Sequence, residues 1–140
     1  MVNIDTSTEF GQRVTRHLEE DWIVWLTTVG VDGTPQPSPV WFLWDGETVL
    51  IYSQPNTPKL RNIAVNPRVS LSFNSNPYGG DVVIMTGEAW VDTDAPPANT
   101  LAPYVEKYSE GMQGIGLTPD EFTAAYSVPV RVRPASLRGH

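Results

Sequence analysis

The sequence has no cysteine and only two histidines in its 140 residues. Without cysteine there is no disulfide, no thiolate nucleophile and no zinc–sulfur site, and the composition suits a reducing compartment, so a cytoplasmic location is expected. His17 falls inside a predicted helix and His140 is the last residue. No His/Asp/Glu cluster has the spacing of metal ligands, and no metal site is expected. Walker A, GxGxxG and GxSxG motifs are missing. A hydrolytic triad would have to use His17, and no serine sits in a recognisable elbow. Long apolar runs are also missing: the longest are strand-length, too short for a membrane-spanning helix. The opening MVNIDTSTEFGQRV lacks the basic and apolar regions of a signal peptide. Positive charge is scarce, with 9 Lys and Arg against 16 Asp and Glu and a net charge of −7. That balance argues against non-specific nucleic-acid binding.

The few cations cluster. Lys59, Arg61 and Arg68 lie close together, and Arg131, Arg133 and Arg138 crowd the end of the chain. An acidic protein with local basic patches suits a small anionic ligand better than a polymer. The length predicts one domain over residues 1–140.

Thr6-Ser7-Thr8-Glu9 fits a capping box with Thr6 as N-cap, and Phe10, Val14 and Leu18 mark one face of a short helix. Trp22 to Val29 predicts a strand and Gly30 to Gly33 a hairpin loop. Gln36 to Trp44 and Glu47 to Ser53 read as two strands joined by an Asp45-Gly46 turn. Thr57 and Pro58 open a helix that runs to about Val65, where Asn66-Pro67 stops it. Arg68 to Asn74 and Asp81 to Thr93 read as strands, with Gly87 a bulge or close-approach site. A helix is predicted near Ala98 to Tyr108. Thr118-Pro119-Asp120-Glu121 is a second capping box opening a helix to about Tyr126, and Ser127 to Arg133 reads as a final strand. Six short strands with tight turns predict a mainly β chain, an antiparallel closed or nearly closed barrel with small helices. An open α+β sheet is the alternative.

Thr57-Pro58-Lys59-Leu60-Arg61-Asn62 is the segment that looks most like chemistry. A strand feeding a helix N-terminus favours a phosphate through backbone N–H groups and the helix dipole, and Lys59, Arg61 and Asn62 add donors. The plainer reading is an ordinary capped helix with a solvated basic face. A cation in the first turn opposes the helix dipole, which gives Lys59 no obvious structural purpose. Lys59 and Arg61 are about 200° apart on a helix, so both reach one ligand only if it wraps the helix end. Trp41, Phe42 and Trp44 on one strand, with Trp22 and Trp25 on an earlier one, read either as a pocket for a planar ring or as core or dimer interface.

Pro37-Ser38-Pro39-Val40-Trp41-Phe42, the Ser53…Lys59-x-Arg61-Asn62 segment and Asn66-Pro67-Arg68-Val69-Ser70-Leu71 resemble the pyridoxamine 5′-phosphate oxidase-like split-barrel superfamily. Within it, the chain looks most like the short actinobacterial deazaflavin-dependent reductases of the B class, which use coenzyme F420. The resemblance implies a split β-barrel homodimer with cofactor sites at the subunit interface. It implies that Ser53, Lys59, Arg61 and Asn62 hold the cofactor phosphate and nearby tail, that the backbone of Ser38, Pro39, Val40 and Trp41 faces the ring, and that the loop at Tyr78 comes from the partner subunit. Thr57 and Pro58, at the helix start itself, join the candidate cofactor-binding residues on the reading of that helix start. The flavin-using oxidases of the superfamily usually carry Arg where this chain has Pro58. A phosphomonoester such as that of FMN is nearly dianionic, whereas the phosphodiester of F420 carries one charge, so the missing cation leans toward F420, with FMN the alternative. The chain also lacks the C-terminal Arg- and Trp-containing segment with which the oxidases bind pyridoxamine phosphate. The implied activity is hydride transfer from reduced F420 to a conjugated, electron-poor small molecule. An FMN-dependent enzyme, or a non-catalytic carrier of a deazaflavin, haem or tetrapyrrole, are the rival readings.

Overall fold

The computed structural model describes residues 2–140. Its elements run α1 (Glu9–Glu20), β1 (Ile23–Val29), β2 (Pro35–Trp41), β3 (Leu43–Trp44), β4 (Val49–Ser53), α2 (Pro58–Val65), β5 (Arg68–Ser72), β6 (Val83–Val91), a 3-10 turn at Ala98–Thr100, α3 (Ala102–Gly114), α4 (Pro119–Ala125) and β7 (Val128–Gly139). The seven strands form one antiparallel sheet in the order β2-β1-β5-β6-β7-β4-β3. The chain links β2 to β3 directly, so the two edges of the sheet meet at Phe42 and the sheet curls into the expected split barrel. Among the described residues no helix is long and apolar enough to cross a membrane.

The strand pattern follows from what each face meets. β1 buries Val24 and Leu26 against α1 residues Val14 and Leu18 in the main core, with Leu71, Met85, Val130 and Val132 from the neighbouring strands. All five residues of β4 are buried. Val49 and Ile51 face that core, while Leu50 and Tyr52 face a second one built with Tyr104, Tyr108 and Met112 of α3 and Phe122 of α4. A strand covered on both faces has no polar alternation, and TVLIYS shows none.

Several boundaries move. The N-cap of α1 is Thr8, whose Oγ1 accepts from Gly11 N at 2.9 Å. Thr6 loses that place because Asp5 makes its own turn, accepting from the backbone N and the hydroxyl of Ser7, while Thr8 N–H reaches Asp5 O. The predicted strand Gln36–Trp44 breaks at Phe42. The helix expected from Ala98 starts at Ala102, since Pro103 favours its first turn, and continues to Gly114. β7 runs past Pro134 to Gly139. Pro134 sits opposite Gly87, where the register of β6 shifts by a bulge, and a Cβ on Gly87 would lie 2.1 Å from Arg133 O. There glycine is required by close approach.

Candidate functional site

A cleft of about 370 Å³ opens where β2, β4, α2 and the α3–α4 corner converge. Pro39, Val40 and Trp41 bring the end of β2 to it, and Ile51, Tyr52 and Ser53 the end of β4. Gln54, Thr57 and Lys59 line the floor at the start of α2, and Ile115, Phe122 and Tyr126 form the wall from the α3–α4 corner. The size and the mix of apolar wall with a few polar groups are those of a small-molecule site.

The aromatic wall is ordered by stacking. Trp41 lies nearly parallel to Tyr108 (4.6 Å between centroids, 4°) and to Phe122 (5.4 Å, 14°), and Phe122 in turn stacks on Tyr126 (4.5 Å, 14°). Such a column presents flat faces and edges that favour a planar conjugated ligand. Tyr52 is tied down, donating its hydroxyl proton to Pro96 O at 2.6 Å, and burial pushes its phenol up, with Arg131 pulling weakly the other way.

The polar end is built on α2. The segment leaves β4 at the buried Ser53, whose Oγ donates to Gln54 O at 2.8 Å and lies 3.2 Å from Thr57 Oγ1. Thr57 occupies the N-cap position, but its side chain makes no capping hydrogen bond, so its hydroxyl stays on the Ser53 side. Lys59 is half-buried and, among the described residues, has no hydrogen bond or ion pair for its ammonium. Burial pulls its pKa below the ordinary lysine range. No carboxylate lines the cleft, so Lys59 is the one charged group there among the described residues. An anion seated beside it would restore what burial takes away. These residues therefore fit the phosphate end of a flat cofactor.

Of the predicted residues, Pro39, Val40, Trp41, Ser53, Thr57 and Lys59 line the cleft together. Ser38 sits next along β2, opposite Leu26, and Pro58 is exposed at the first position of α2. Arg61 turns away and donates from Nη1 to Asn56 O at 2.9 Å. The amide of Asn62 bridges strands, donating from Nδ2 to Thr28 Oγ1 at 3.0 Å and Gln36 Oε1 at 2.8 Å. Tyr78 is 97% exposed on the loop between β5 and β6. In this single chain those last five lie outside the cleft. Ile51, Tyr52, Gln54, Ile115, Phe122 and Tyr126 belong to it and went unrecognised in the sequence. The i, i+4 pair Phe122/Tyr126, directly behind the second capping box, is the one signal that points to them.

Comparison with known proteins agrees with the fold. The family described as pyridoxamine 5′-phosphate oxidase matches residues 10–138. Among solved structures, an F420 reductase is similar at 32% identity and a TM-score of 0.62, covering 86% of this chain and 92% of that one. General Stress Protein 26 from Bacillus anthracis str. Sterne shares 18% identity at a TM-score of 0.66, over 90% of this chain and 89% of its own. HutZ, the heme storage protein from Vibrio cholerae, shares 16% at 0.66, over 94% and 95%. These two show the fold alone. No curated protein sequence matches the chain. The family match spans nearly every element described above: the chain belongs to the pyridoxamine 5′-phosphate oxidase family.

Proposed function

We propose that this protein is an oxidoreductase that takes reduced coenzyme F420 in the Trp41–Lys59 cleft and reduces a conjugated, electron-poor small molecule. The observation that carries the reading is Lys59, a half-buried cation with no partner at the foot of a stacked aromatic wall. The 32% identity to an F420 reductase supports it. Bound there, the deazaflavin would supply a hydride from its ring carbon C5. Lys59, Ser53 and Thr57 would hold the phosphate, and Trp41 and its stacked neighbours would keep the ring flat and shed water. Arg61 is engaged elsewhere and Pro58 has neither charge nor N–H, which leaves one cation at the phosphate end. A single cation matches the monoanionic diester of F420 better than the near-dianion of FMN.

The substrate proton would come from Tyr126, which lines the cleft and whose hydroxyl has no hydrogen bond among the described residues. Two copies would complete the site. In register across the outer face of the sheet, Pro37, Thr27, Ser70, Thr86 and Ser136 form an uncharged row suited to flat packing.

Titration with F420 and with FMN tests the reading, followed by hydride transfer from reduced F420 to quinones, enones and nitro compounds. F420 should bind more tightly, and Lys59→Ala should weaken binding by about 1–3 kcal/mol. Preference for FMN, or an affinity indifferent to Lys59→Ala, would overturn it.

A further inference from the structure

The chain has two lysines, and the second, Lys107 on α3, does not line the cleft. Its neighbourhood explains an oddity of the sheet. Phe42 is fully buried yet lies in neither β2 nor β3, so the ladder does not satisfy its peptide groups. Side chains of α3 do so instead. Phe42 N–H donates to the Tyr108 hydroxyl at 2.8 Å. That hydroxyl also lies 2.7 Å from Trp22 O and 2.9 Å from Phe42 O. A hydroxyl has one proton to give, so it can serve only one of the two carbonyls. The other donor is Lys107, whose Nζ stands 2.9 Å from Phe42 O and 3.8 Å above the centre of the Phe42 ring.

Phe42 follows Trp41 directly, and Trp41 stacks flat on Tyr108. One turn further along α3, Gly111 leaves room for the Trp22 and Trp41 rings, each of which a Cβ would meet at 3.0 Å. We propose that Lys107 is a positioning residue for the cleft: with Tyr108 it grips the peptide of Phe42 and so sets the plane of Trp41, the wall on which a ring would lie. The part of this that concerns ligand binding rests on the cleft being a cofactor site; the grip itself does not.

The grip depends on pH. Burial pulls Lys107 down to about 8, and Asp21 at the end of α1 pulls weakly the other way. Asp21 is itself bound to His17 at 2.5 Å. Tyr108, whose ring centre lies 5.1 Å from Lys107 Nζ, is pushed up by burial and stays protonated in this window, and Glu110 lies one turn further along α3. Below the midpoint an ammonium makes a charge-assisted bond to Phe42 O; above it a neutral amine makes a weaker one.

Fluorine NMR of protein labelled with 5-fluorotryptophan reads this directly, with Trp41 assigned through Trp41→Phe. In the wild type the Trp41 resonance should titrate with a midpoint near pH 8 while that of Trp90 stays put. In Lys107→Met it should move and lose its titration. In Lys107→Arg it should hold the low-pH position without titrating. F420 affinity should fall about two- to ten-fold in Lys107→Met, the size of one hydrogen bond, and recover in Lys107→Arg. A Trp41 resonance flat from about pH 6 to the ordinary lysine range near 10.4 in the wild type refutes the proposal even if Lys107→Met does not fold. So does a titration that survives in Lys107→Met. Failure of F420 to bind the wild type would sink the proposed function instead, and the fluorine measurements would still decide the role of Lys107.

Discussion

Tyr104 is wholly buried between Tyr52, Tyr108 and Phe122, and its hydroxyl is the one buried side-chain polar atom without a partner among the described residues. Burying an unpaired hydroxyl is unfavourable, and removing it leaves the ring contacts intact. Tyr104→Phe should therefore leave stability unchanged or raise it by up to about 1 kcal/mol, read from the urea midpoint at constant m-value. A loss above that would mean a hidden partner. The same scale shows how much of the site was legible. Lys59 and Trp41 are readable because each stands out locally, a cation in a first helical turn and a tryptophan in the aromatic run Trp41, Phe42, Trp44. Arg61 and Asn62 look alike in sequence but diverge in space. The turn of the helix carries Arg61 to Asn56, and Asn62 finds partners at positions 28 and 36 that no local pattern announces.

Elements with local punctuation were legible to within a residue or two. Thr118 with Glu121 forms the reciprocal capping box, Pro58 opens α2, Asn66 ends it, and Gly46 makes its turn at φ +100°. Where the deciding partner is distant the reading slipped. The break at Phe42 is set by α3, 65 residues away by the Lys107 contact. The length of β7 is set by β6, which offers partners as far as Val83 opposite Gly139. Gly87 joins the two cases, visible as an isolated glycine in a strand and explained only by Arg133 and Pro134 across the ladder. Gly87→Ala would force a Cβ into backbone rather than a yielding side chain. It should cost about 1–3 kcal/mol, measured by chemical denaturation, and a neutral result would mean that the bulge can move.

At the scale of the molecule, a few aspartates tie distant segments together. Asp81 accepts from Arg13 (3.0 Å), Arg16 (2.9 Å) and His17 (3.0 Å) of α1, pinning that helix to the loop before β6. Burial alone would raise its pKa, but the hydrogen bonds from His17 and Arg13 and their positive surroundings hold it below the ordinary carboxylate range. Asp92 is held down by Arg131, which also reaches Asp45. A carboxyl with a depressed folded pKa stabilises the fold above its unfolded value, about 3.9, and loses that contribution as pH falls through the folded value. Stability should thus decline below about pH 4, and Asp81→Asn should flatten the decline while lowering stability at pH 7, a comparison made from urea midpoints between pH 3 and 7. β7 has a different kind of consequence. Among the described residues it is the only strand that pairs with both β6 and β4, so without it the sheet is two separate pieces, β2-β1-β5-β6 and β4-β3. During synthesis those pieces must wait, with Leu71, Met85 and Ile51 uncovered, until residues 128–139 leave the ribosome. Closure is then a late, long-range event, of the kind that makes β-rich chains slow to fold and dependent on chaperones while they wait.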